Sequence, residues 1–305
     1  MRRSISLVIY LFIVLVLPVK AQFYYHNDKY YSSDVVLELG GSAGIMNSLT
    51  DLGGKKGIGK KFIKDLNWKV SRPSFSIYAI AMYKYAVGLR LEGTFSSIQS
   101  YDTILKKVAP STRGRYERNL SFKSSITDIQ LAFEFHPLFL KSYKENESPF
   151  WSPYMVAGIG FFSFNPEAKL NGQWHTLQPL RTEGQGFAEY PDRKLYKLRQ
   201  LNIPLGIGIK YEVTSSINAR FEIIHRVLFT DYLDDVSTEY IYPLLFYNYL
   251  PAAQASIAGQ LYNRQSELNP GYMPRANTQR GDPKDNDSFF SIQLKIGMAI
   301  RAARR

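Results

Sequence analysis

Eight stretches of this chain alternate apolar and polar side chains over at least eleven residues each, and that length limits the folds open to it. They are VVLELGGSAGI (35–45), SFSIYAIAMYKY (74–85), AVGLRLEGTFSS (86–97), NLSFKSSITDIQLAFEFH (119–136), SPYMVAGIGFFSF (152–164), LRQLNIPLGIGIKYEV (198–213), SINARFEIIHRVLF (216–229) and SFFSIQLKIGMAIR (288–301). Alternation with period two marks strands. A soluble strand averages roughly 5–6 residues, whereas a tilted strand that crosses a bilayer needs about 9–11. Length thus favours a membrane barrel over a sandwich.

The two faces agree with this. Phe290, Ile292, Leu294, Ile296, Met298 and Ile300 share one side of the last stretch; Ser291, Gln293, Lys295, Gly297 and Ala299 share the other. Leu201, Ile203, Leu205, Ile207 and Ile209 oppose Asn202, Pro204, Gly206, Gly208 and Lys210, and Val87, Leu89, Leu91 and Phe95 oppose Arg90, Glu92 and Thr94. The apolar faces carry long side chains, as a lipid-facing band does. The polar faces alternate small and charged residues, as a narrow barrel interior does. Connections alternate as well. Those near Tyr85 and at EVTSS (212–216) are tight, whereas 46–73, 98–118, 165–197 and 230–287 are long, with a medium segment at 137–151. Outer-membrane barrels keep short turns on the periplasmic side and long loops outside. The expected fold is all-β: a transmembrane, antiparallel, up-and-down β-barrel of about eight strands, with long extracellular loops. Rich in Gly, Asn, Lys and Tyr, those loops are expected to be solvated excursions.

The N-terminus supplies an export route. Arg2 and Arg3 precede an apolar run from Leu7 to Leu17, and Val19-Lys20-Ala21 offers a cleavage site before Gln22. The run is shorter than the ~20 residues of a comfortable membrane helix. Residues 1–21 are therefore expected to be a signal peptide and 22–305 an outer-membrane barrel domain. The absence of cysteine excludes a lipoprotein anchor, a thiolate metal site and a cysteine nucleophile. A formal charge of +12 suits lipopolysaccharide and other outer-membrane lipid; with an export signal, nucleic acid is not an expected partner.

No motif calls for catalysis, a cofactor or a metal, so no site residue of these kinds is assigned. Glu38, Arg90, Glu92, Glu134, Lys210, Arg220, Glu222, Arg226 and Lys295 fall on polar strand faces. In a narrow barrel they must pair, because an isolated buried charge costs several kcal/mol. His26, His136, His175 and His225 lack metal spacing and read as surface or interfacial. GGKKGIGKK (53–61) lacks Walker spacing and reads as a flexible basic loop. In LFTDYLDDVSTEY (228–240), Asp231, Asp234 and Asp235 lack the alternate acids and Gly turn of a calcium loop. Adjacent acids usually point apart, so a turn whose carboxylates accept backbone N–H bonds is favoured over ion binding.

The stretches NLSFKSSITDIQLAFEF (119–135), SPYMVAGIGFFSFNPEA (152–168), LQPLRTEGQG (177–186), LNIPLGIGIKY (201–211) and FTDYLDDVSTEY (229–240), in this order, resemble the PorG-type outer-membrane barrels of the type IX secretion system. The resemblance implies a barrel without enzymatic activity that contacts periplasmic ring subunits and holds their ring at the membrane. It supplies no catalytic residue. A second reading makes the protein a surface-binding barrel. Its basic, Tyr-rich loops, notably YIYPLLFYNYLPAAQ (240–254) within 241–287, would then bind polysaccharide or another outer-membrane protein.

Overall fold

The computed structural model describes residues 35–53, 67–106, 112–141, 149–214, 216–272 and 275–300. The signal peptide expected at 1–21, the basic loop beyond Gly53 and His26 lie outside these residues. The strands are β1 (Val35–Leu49), β2 (Arg72–Tyr83), β3 (Val87–Tyr101), β4 (Ser121–Phe135), β5 (Trp151–Leu170), β6 (Gln173–Thr176), β7 (Arg199–Glu212), β8 (Ile217–Leu228) and β9 (Ser288–Ile300). All pairings are antiparallel. The order β4-β3-β2-β1-β9-β8-β7-β5 is closed by a β4–β5 pairing, giving an eight-strand up-and-down barrel. β6 is extra. It pairs with β5 above the point where β7 leaves it.

Closure fixes which face looks where. Ile77 and Ile296 are each 68% exposed on the outer wall, while Arg90, Glu134, Arg226 and Lys295 are fully buried within. That is the reverse of what water as solvent selects, and it is stable only where hydrocarbon surrounds the wall. On β5 the outward side chains run from Trp151 to Phe161. Ten residues at about 3.3 Å rise and ~40° tilt span about 25 Å, the height of a transmembrane barrel's apolar band. Aromatic residues edge the band at the turn end: Trp151 and Tyr211 have ring centroids 4.5 Å apart, and Tyr83 is exposed at the same end of β2. No helix among the described residues is long and apolar enough to cross a membrane.

Small residues make room inside. A Cβ on Gly208 would sit 2.3 Å from the Tyr154 ring, and one on Gly40 would sit 2.5 Å from Tyr78. Each glycine is the socket for one buried tyrosine.

The long connections all leave one end of the barrel, as their alternation predicts. They differ from solvated excursions. Two short helices, α1 (Arg113–Arg118) and α2 (Phe246–Tyr249), and a longer one, α3 (Ala252–Leu261), pack with the loop segments into a cap over the barrel mouth. Its core joins barrel residues Met46, Phe162, Leu228 and Phe289 to Leu180, Phe187, Leu233, Ile241, Phe246 and Leu261. Phe187 and Tyr249 stack at 4.1 Å, and Tyr196 lies over Tyr232 at 5.0 Å. The aromatic side chains that read as loop polarity supply a hydrophobic core.

Candidate functional site

Two charged clusters stand out, one inside the barrel and one in the cap. Inside, Arg90 donates to Glu134 at 2.8 Å and Glu222 at 2.6 Å, with Glu92 at 3.1 Å. Arg220 bridges Glu38 at 2.9 Å and Glu134 at 2.6 Å. Lys295 lies 2.6 Å from Glu92 and 2.7 Å from Glu222. Arg226 pairs with Asp128 at 2.8 Å, and Lys210 lies 3.6 Å from Glu212. All nine residues expected to pair therefore do so, joined by Asp128 and Glu212. Tyr78 donates to Glu38 at 2.8 Å and Tyr154 to Glu222 at 2.9 Å. Cross-strand register makes this possible: Arg90 and Glu92 on β3, Glu134 on β4 and Glu222 on β8 all point to the axis of one narrow tube.

His136 is not a surface residue. It is fully buried, its Nδ1 2.8 Å from Ser152 Oγ and its Nε2 3.2 Å from Glu134, with its ring stacked on Tyr154 at 4.8 Å. It does lie at the strand end before Pro137, but on the inward side with Glu134, so its ring enters the barrel interior. His225 and His175 are half-buried.

In the cap, Asp234 and Asp235 point apart. Asp234 accepts N–H bonds from Leu52 at 2.9 Å and Val236 at 3.0 Å. Asp235, in the left-handed region at φ 65°, accepts from Tyr196 Oη at 2.7 Å and Thr182 Oγ1 at 2.5 Å. Both are buried, as is Asp231, while the Glu239 side chain is 48% exposed. The capped-turn reading thus describes Asp234. Asp235 instead ties the turn to loop 181–196.

Sequence spacing did not show what these acids meet. Asp51 accepts from Asp282 N at 2.6 Å, and Asp287 accepts from Leu233 N at 2.8 Å. Asp51, Asp231, Asp234 and Asp287 thereby gather under a cleft of about 1130 Å³, bordered by Arg115, Arg118, Arg275, Tyr240 and Tyr272. Burial, then repulsion from neighbouring carboxylates, raises their pKa values: Asp51 to about 6, Asp234 to about 7, Asp231 to about 9, and Asp287 well above the usual range. Burial, with a smaller push from Glu183, raises Asp235 to about 6 against the pull of Arg280. Asp231 therefore keeps its proton at neutral pH, and Asp234 is poised to titrate there. No group of three or more acidic or histidine side chains among the described residues has the arrangement of a metal site.

Two arginines lock the arrangement. Arg280 donates to Glu183 at 2.8 Å, to Asp235 O at 2.6 Å and to Tyr262 O at 3.1 Å. Arg118 grips Asp102 with two nitrogens at 2.8 and 2.9 Å and reaches Asp51 O at 2.7 Å. Glu183 in turn accepts from Ser237 N, Thr238 N and Thr238 Oγ1. Only the TEGQG run hinted at Glu183. Its partner Arg280 is 97 positions away, so no local pattern connects them.

A family described as a domain of unknown function, DUF6089, matches residues 37–249, which takes in most of β1, all of β2 to β8 and the Glu183–Asp235 part of the cap. The chain belongs to this family. No curated protein matches it. Among solved structures this DUF6089 chain is similar to the outer-membrane protein OprG of Pseudomonas aeruginosa, at 9% identity and a TM-score of 0.41, covering 90% of this chain and 99% of that one. It is also similar to the Neisserial surface protein A, at 10% identity and TM-score 0.37, covering 87% and 97%. A third is Ail of Yersinia pestis, solved with the heparin analogue sucrose octasulfate, at 7% identity and TM-score 0.35, also covering 87% and 97%.

Proposed function

We propose that this chain is a non-enzymatic outer-membrane barrel that docks a periplasmic secretion-system assembly, as its resemblance to PorG-type barrels implies. The observation that supports the reading is the filled interior. Among the described residues, interlocked ion pairs fill the tube and a packed cap covers its mouth, which leaves little room for a solute. A filled barrel is suited to holding something at the membrane. Its turn end, periplasmic on this reading, also exposes Leu138, Leu140 and Phe150, with Leu140 67% accessible. Such side chains next to a membrane surface suit a protein partner.

Affinity capture of the full chain from gently solubilised membranes should recover a periplasmic ring subunit, and Leu140→Asp should weaken that recovery. A barrel that is captured alone under the same conditions sinks the reading. A second reading rests on Tyr242, Leu244 and Tyr247, which are exposed on the cap, with Leu244 at 78%. Here the cap binds polysaccharide or another outer-membrane protein. Leu244→Asp with Tyr247→Ser should then abolish surface binding and leave capture of the periplasmic partner unchanged.

A further inference from the structure

Above the apolar band, the outer wall over β4, β5 and β7 changes character. Phe122 and Ser124 are buried, so Lys123 projects outward from β4. Phe164 and Ala168 are buried, so Glu167 and Lys169 project outward from β5. Tyr196 stacks inward on Phe164 at 6.0 Å and Leu198 packs against the cap core, so Lys197 and Arg199 face out at the start of β7. Trp174 on β6 stands opposite Lys169, 48% exposed, with the Lys123 ammonium 5.1 Å from its ring.

Register sets the heights. Arg199 lies opposite Ser163, two residues beyond Phe161, where the outward apolar side chains of β5 end. Glu167 pairs across with Lys123, and Lys169 lies two residues further. From Ser163 to Lys169 the tilted strand climbs about 15 Å. The cations therefore begin at the edge of the hydrocarbon and climb beside an exposed indole. Glu167 is the acid among them. The loop ends of β1, β2 and β9 differ. There the outward positions are Ala43, Ile45, Pro73 and Ile292, and Trp68 meets Phe290 edge-on.

We infer that this wall binds a phosphorylated glycolipid of the outer leaflet, with Arg199, Lys123 and Lys169 meeting its phosphates and Trp174 its sugar. Charge complementarity selects the ligand class: cations at headgroup height suit phosphate, and an exposed indole suits a sugar face. A plain anionic phospholipid would satisfy Arg199 at the band's edge. It would leave Lys169 and Trp174, higher on the wall, without a partner. The inference rests on the outer-membrane placement and is independent of the periplasmic partner.

The test compares the full chain with a Lys123→Ala, Lys169→Ala, Arg199→Ala variant. Both are purified in mild detergent from outer membranes, and retained phosphoglycolipid is measured by mass spectrometry. Both are then titrated with vesicles containing diphosphorylated lipid A, dephosphorylated lipid A or phosphatidylglycerol. The variant should retain roughly tenfold less glycolipid, because exposed ion pairs are individually weak and three are removed. Wild-type chain should prefer diphosphorylated lipid A to both other lipids, and Trp174→Ala should narrow its preference over phosphatidylglycerol. Lys84→Gln, at the turn end, should change neither measurement. Equal retention by the triple variant, or equal binding of phosphatidylglycerol, overturns the inference and leaves membrane insertion standing. A chain that fractionates without membranes overturns the placement itself. Capture of a periplasmic partner by the triple variant keeps the docking reading separate from either outcome.

Discussion

Inside the barrel, Glu134 lies between two guanidiniums, Arg90 at 2.8 Å and Arg220 at 2.6 Å. In the cap, Asp234 accepts two backbone N–H bonds and lies among Asp51, Asp231 and Asp287. Both sites are buried and acidic, yet they solve the cost of burial differently. The interior has rigid strands on all sides, so cations can be placed opposite acids by register. The cap is made of turns, whose unpaired N–H groups need acceptors. Carboxylates there bind backbone, and the quartet limits its mutual repulsion by keeping protons. The interior neutralises its acids with countercharge; in the cap Arg118 and Arg280 do so only for Asp102 and Glu183, and the aspartate quartet relies on backbone N–H groups and protons.

The strongest way to break the contrast is to remove an interior cation. Arg90→Met leaves Glu92, Glu134 and Glu222 short of a partner, and should destabilise the barrel by ~3–5 kcal/mol. Urea titration in detergent, read by heat-modifiable gel migration, measures the loss. A variant as stable as the parent would show that the interior acids do not depend on their countercharges.

Arg280→Met should have a similar cost, ~3 kcal/mol, confined to the cap. The loops should become sensitive to limited proteolysis while the barrel still resists unfolding. Loss of both together would mean that cap and barrel form one cooperative unit. Gly208→Val tests the socket for Tyr154, which donates to Glu222. Displacing that ring should cost about 1–3 kcal/mol, seen as a lower urea midpoint with the cap still protected from protease.

The response to pH is the sharpest comparison. An acid whose pKa is raised by folding favours the folded state while it is protonated. Its contribution is complete below the unfolded value and is lost as pH rises through the folded one. For Asp234 and Asp231, raised to about 7 and about 9, cap stability should fall between pH 4 and 9. Protease sensitivity of the cap at pH 6 and pH 9 measures it. Asp231→Asn should flatten the upper part of that profile, whereas Asp128→Asn, which removes Arg226's partner, should destabilise at both pH values. Equal pH profiles for parent and Asp231→Asn would show that the quartet holds no proton at Asp231.

Much of the barrel was readable because strand alternation is local. Leu201 to Lys210 told which side faces lipid before any partner strand was known, and closure then required the inward charges to pair. His136 and the long loops were misread because burial there is imposed by distant segments. The loop aromatics Phe187, Phe246 and Tyr262 have no periodicity to reveal a core. They become one only when 180–190 and 241–262 meet over the mouth. The acid quartet was half visible: Asp231 and Asp234 stood out, but Asp51 and Asp287 lie at opposite ends of the chain.

What the sequence determined by itself was the solvent of the wall. Period-two alternation over strands this long leaves a continuous apolar face, and backbone in hydrocarbon must pair with itself, so the sheet closes. What only the tertiary structure decided was the electrostatics of the cap. Whether a carboxylate meets a guanidinium, an amide or another carboxylate depends on which loops are brought together, and contacts such as Leu52 to Asp234, 182 positions apart, leave no trace in local pattern.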